Sequence, residues 1–158
     1  MRVVEQHVRE AVHTFFTPEW ALLVAGRVSA RGRRVFRHRL TGEVSLKDGE
    51  GIDLSSLAES DVRELLLQLG APARCVLIKD GLQRDEIASL DSALHRTFLA
   101  AEGALISCIP GRLCLLQCDH GRTRLLLRAS LPSQHPIRSG LRDEGLENEG
   151  GTHARNSG

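Results

Sequence analysis

Apolar positions recur at helical spacing from the start of the chain. Val4, Val8, Val12 and Phe15 fall on one face of residues 2–16, with Arg9 and Glu10 opposite, which predicts an amphipathic helix. Thr17-Pro18 ends it, because a residue before proline is steered out of helical backbone. The run at 20–28, Trp-Ala-Leu-Leu-Val-Ala-Gly-Arg-Val, has strand length. Ala30-Arg31-Gly32-Arg33 reads as a turn, and 35–40 alternates, so the segment predicts a β-hairpin.

Residues 47–53 are rich in turn formers and read as a loop. A helix is expected over 60–69, with Ser60 as N-cap, a Leu65-Leu66-Leu67-Leu69 face, and Gly70 and Pro72 as stop signals. Residues 74–79 read as a short buried strand that ends at the turn pair Asp80-Gly81. Residues 84–102 predict a second helix with a stripe of Ile87, Leu90, Leu94 and Phe98, closed by Gly103. Three apolar runs at 104–109, 112–118 and 122–129, parted by Pro110-Gly111 and Asp119-His120-Gly121, predict a meander. The expected fold class is therefore α/β in the mixed, α+β sense, as one domain over residues 1–130. Beyond Ser130 only Ile137, Leu141 and Leu146 are large and apolar, so 131–158 is expected to be a disordered tail.

Composition narrows the function classes. Aromatic residues make up 3% of the chain, so the core must be aliphatic and no ladder of rings for stacking bases is visible. The N-terminus shows no signal-peptide pattern, and no run approaches the roughly 18 apolar residues of a membrane span. A cytoplasmic location, reduced cysteines and no membrane partner are the resulting expectations. Net charge is +1, but residues 1–42 hold eight Arg against three Glu, while 43–102 hold six Lys or Arg against twelve acids. Such asymmetry can gather one positive face on the fold.

Few constellations carry chemistry. No G-x-S-x-G, H-E-x-x-H, P-loop or G-x-G-x-x-G motif is present. Cys108, Cys114, Cys118 and His120 lack a C-x2-C knuckle, and their spacing suits small buried hydrophobes better than zinc ligands. No metal site is assigned. Arg27, Arg31, Arg33, Arg34, Arg37 and Arg39 cluster on the expected hairpin, where Arg31, Arg33, Arg37 and Arg39 share odd parity. Several guanidinium groups on one ribbon suit phosphate contacts. Asp80, at the end of a buried strand and before Gly81, is placed where a divalent metal can be bound.

The unit Lys79-Asp80-Gly81, followed by Asp85-Glu86 and a helix, resembles part of the PIWI domain of the Argonaute family. Ile109-Pro110-Gly111-Arg112-Leu113 is loosely similar to the strand that follows in that family. The resemblance implies an RNase H-like partial sheet with flanking helices and a guide-and-target nucleic acid as ligand. It implies Asp80 as the motif's metal-binding acid and Glu43 as the loop glutamate. Mg²⁺ is implied only if the resemblance extends to activity. The family's first catalytic Asp has no counterpart, since residues 20–28 contain no acid, and Lys79 stands where the family has Arg. The resulting expectation is a nucleic-acid-binding module for RNA or DNA, without nuclease activity. The alternative is a small α/β protein-interaction or regulatory module, with a protein partner and no catalytic chemistry.

Overall fold

The last third of the described chain builds the centre of the protein. In the computed structural model, which describes residues 2–24, 30–47 and 51–129, the runs Ala104–Ile109 (β4), Leu113–Cys118 (β5) and Thr123–Arg128 (β6) form the expected antiparallel meander. Arg74–Lys79 (β2) pairs with β4, and Glu86–Ser89 (β3) pairs with β2. The two-residue strand Ile52–Asp53 (β1) pairs with β6. The sheet has six strands in the order β1-β6-β5-β4-β2-β3, and every pairing is antiparallel.

Both sheet faces are covered, which explains why the central strands read as continuous apolar runs rather than alternating ones. Strand side chains alternate between faces. Cys114, Leu116 and Cys118 of β5 accordingly join one core, and Leu113 and Leu115 the other. Arg2–Phe15 (α1), Pro18–Leu22 (α2) and Ala30–Arg39 (α3) cover the first face. Glu59–Gln68 (α4) and Leu90–Phe98 (α5) cover the second. The chain is thus a mixed α+β protein. None of its described helices is long and apolar enough to cross a membrane.

Among the described residues of the expected β-hairpin, helix stands in place of strand, in α2 and α3. α1 ends at Phe15, ahead of Thr17-Pro18 as expected, and Pro18 then opens the first turn of α2, where its missing N–H costs nothing. Ala30–Arg39 is helical because Arg33, Phe36 and Arg37 recur at helical spacing with Leu40 just beyond, and Phe36 and Leu40 are fully buried. Phe36 meets Phe16 and Trp20 with ring centroids 5.7 Å away in each case, an aromatic cluster that pins α2 and α3 to the first face. The helix expected over 84–102 begins late. Residues 86–89 extend the sheet, Ile87 is 46% exposed, and Ser89 caps α5 by accepting from the Ser92 amide at 3.1 Å. Arg27 and the expected tail at 131–158 lie outside the described residues.

Candidate functional site

α3 carries two kinds of arginine. Helical geometry places Arg31, Arg34 and His38 on one stripe, with Arg39 beside it, and all four are exposed. Arg33 and Arg37 fall on the other side and turn toward the sheet. The odd-parity grouping expected from a hairpin is therefore overturned, because a helix regroups residues by turns rather than by twos. Among the described residues, Arg31, Arg34 and Arg39 have no carboxylate partner, whereas Arg33 and Arg37 both pair with Asp85. The Arg33 contact is 2.5 Å and the Arg37 contact 3.0 Å, and Arg37 also donates to the Gln83 carbonyl at 2.9 Å. The Asp85 side chain is only 5% exposed, so the pairing is a buried one.

The opposite wall is the turn that follows β2. The Asp80 amide bonds the Gly103 carbonyl at 3.0 Å, and Gly81 takes φ 86°, the left-handed region that favours glycine. Asp80 therefore closes a buried strand, as the pattern suggests. Its Oδ2 accepts from the Thr41 hydroxyl at 2.5 Å, and His38 Nδ1 lies 3.5 Å away. Between this turn and α3 runs a cleft of about 890 Å³, lined by Arg31, Arg34, Arg37, His38 and Arg39 on one side and residues 80–83 on the other. That size is within the range of pockets for small-molecule ligands. A smaller cleft of about 510 Å³ adjoins it, with Trp20, Glu43 and His120 in its lining. Glu43 is exposed there and does not stand with Asp80 in the larger cleft.

The surroundings of Asp80 do not fit a two-metal centre, which needs several converging carboxylates. Its polar neighbours are Thr41, His38 and Lys79, whose ammonium lies 3.4 Å from the Asp80 carbonyl. Among the described residues no group of three or more His, Cys, Asp or Glu could hold a metal ion. The cysteine constellation is also dispersed. Cys108 faces the α4–α5 layer, and Cys114 and Cys118 face the opposite one.

Sequence reasoning missed Asp85, Gln83, His38 and Thr41. No local signal marks Asp85, because burial of Phe36 and Leu40 in the fold turns Arg33 and Arg37 inward, and the buried counter-charge that they demand comes from 52 and 48 residues away in sequence. No family model, curated protein or solved structure matches this chain.

Proposed function

We propose that this chain is a nucleic-acid-binding module that holds the sugar–phosphate backbone along the outward face of α3 and performs no nuclease chemistry. One observation carries the reading: the cleft beside α3 has a surplus of arginine over acid. Arg31, Arg34 and Arg39 are free of carboxylate partners among the described residues, and Asp85 is already occupied by Arg33 and Arg37. Arginine forks suit phosphate oxygens, and contacts of this kind position a backbone without reading its bases. Absence of stacking fits as well, since Phe16, Trp20 and Phe36 are consumed in the core. In its finer form the reading takes the sheet as part of an RNase H-like, PIWI-like domain. Its support is local: β2 is buried and delivers Asp80-Gly81 to the rim of the cleft.

A second reading, a protein-interaction module, is favoured by the edge strand β3, which shows a half-exposed Ile87 at the rim of the sheet. Fluorescence anisotropy with labelled single-stranded RNA, single-stranded DNA and duplex, at two salt concentrations, separates the two. Binding that weakens with salt and is reduced in Arg31→Ala/Arg34→Ala/Arg39→Ala is expected. No binding at low salt overturns the nucleic-acid reading and leaves the second.

A further inference from the structure

Arg33 and Arg37 lie one helical turn apart, and a single carboxylate sits between them. Asp85 Oδ2 takes Arg33 Nη1 at 2.5 Å, and Asp85 Oδ1 takes Arg37 Nη1 at 3.0 Å. Two positive charges thus share one negative charge. Their donors are not exhausted either. Among the described residues, Nε of Arg33 and Nε of Arg37 are buried and have no hydrogen-bond partner, and Arg37 is only 5% exposed. A buried guanidinium donor left unpaired carries a desolvation cost that a better acceptor removes. Phosphate is such an acceptor. It offers more oxygens and more charge than a carboxylate, and guanidinium forks match its geometry.

Access to the pair is by way of Arg37, since Arg33 and Asp85 are not part of the lining of the cleft. Arg37 lines it, and the facing wall is the β2–β3 connection that also carries Asp85. That connection contains Gly81 at φ 86°, with open space around the position a Cβ would take, and exposed Gln83 and Arg84. Movement of this loop leaves the sheet pairings untouched, because β3 begins at Glu86.

We propose that Arg33 and Arg37 form a phosphate seat that Asp85 fills in this structure, and that a ligand phosphate binds by displacing the Asp85 carboxylate. The inference rests on the nucleic-acid reading and deepens it. Asp85 becomes an internal competitor that sets affinity, and the two inward arginines join the outward ones once the ligand arrives. No bond is made or broken in the exchange; one ion pair replaces another and the carboxylate passes to solvent.

The test uses Asp85→Asn, which keeps the shape and removes the charge. Isothermal titration with inorganic pyrophosphate and anisotropy with a single-stranded oligonucleotide should both show binding about tenfold tighter than wild type. The salt dependence should steepen, by about 0.7 in log K against log salt for each added phosphate contact. A folded Asp85→Asn that binds no tighter overturns the proposal and makes Asp85 a structural strut. Should Asp85→Asn not fold, Arg33→Gln decides, since it retains the Arg37–Asp85 pair. Severalfold weaker oligonucleotide binding supports the seat, and unchanged binding overturns it. Pyrophosphate binding by Asp85→Asn without oligonucleotide binding supports the seat while sinking the nucleic-acid reading.

Discussion

Thr41 donates its hydroxyl to Asp80 Oδ2 at 2.5 Å and receives the Gly103 amide at 2.9 Å, so one side chain joins the end of α3 to the ends of β2 and β4. The same corner is tightened by the β5–β6 turn, where the His120 amide bonds the Thr41 carbonyl at 2.7 Å and the Asp119 amide bonds the Gly42 carbonyl at 2.9 Å. Asp119 and His120 adopt φ 49° and 53° to do so, a left-handed conformation that Asp and His tolerate better than most residues.

Two substitutions test this corner. Thr41→Val removes both hydrogen bonds at constant shape and leaves the buried Gly103 amide unpaired, a cost of about 1–3 kcal/mol. Gly103→Ala should be worse, because a Cβ there would stand 2.0 Å from the Leu40 carbonyl carbon, which is backbone and cannot rotate away. A loss of about 3 kcal/mol or more is expected. Thermal and urea melts of both variants check the order. A Gly103→Ala protein as stable as wild type would mean that the approach of Leu40 to Gly103 is loose enough to admit a Cβ.

Salt dependence tests the outward face of α3. Each single-strand phosphate contact contributes about 0.7 to the slope of log K against log salt. Removing Arg31, Arg34 and Arg39 together should flatten the slope by about 2. Arg63→Ala should leave it unchanged, because Arg63 lies on α4, across the sheet, and is paired with Asp91. Equal losses from the triple variant and from Arg63→Ala would show that binding is diffuse rather than centred on α3.

The cysteines should be inert in the folded protein. Burial pushes the Cys114 thiol up to about 12 and the Cys75 and Cys118 thiols up to about 11, and raises Cys108 as well. Since the thiolate is the reactive form, a thiol reagent at mildly alkaline pH should label none of the four quickly. All four should react after unfolding in guanidinium. Rapid labelling of the native protein would place at least one thiol on an opening surface.

How far the sequence could be read depended on which interactions hold each segment. α1, α4, β2 and the meander are shaped by local apolar spacing and by turn residues such as Pro110-Gly111, and pattern alone finds them. α3 is different. Its residues alternate well enough to suggest a strand, and only burial of Phe36 and Leu40 against Phe16 and Trp20 settles the helical period. β3 depends on pairing with β2, which no local signal announces, so its Ile87 was assigned to a helix stripe it does not join. The site followed the same division. Asp80 was legible from the strand that precedes it and the glycine that follows. Asp85 was not, because its role comes from two arginines 52 and 48 residues away in sequence.

The link between His7 and Ser107 should make stability sensitive to mild acid. His7 Nδ1 lies 2.8 Å from the hydroxyl of Ser107, a fully buried residue of β4, so the pair fastens α1 to the sheet. Burial holds His7 below the ordinary 6.5, outweighing the Ser107 backbone and the nearby Glu10 charge, which both pull it up. The unfolded chain takes its proton at 6.5 while the folded protein resists it. The unfolded state therefore binds more protons just below that pH, and stability rises with pH through the window. Read in the other direction, stability present above 6.5 is lost as pH falls and levels off once the depressed folded value is passed. Asp53 does not confuse the window, because the Ser55 hydroxyl and amide hold it below its ordinary 3.8. Urea midpoints near pH 7.5 and pH 5.5 should fall for wild type, and fall less for His7→Gln, which keeps a hydrogen-bonding group without the titration. The same drop in both proteins would assign the acid sensitivity to a group other than His7.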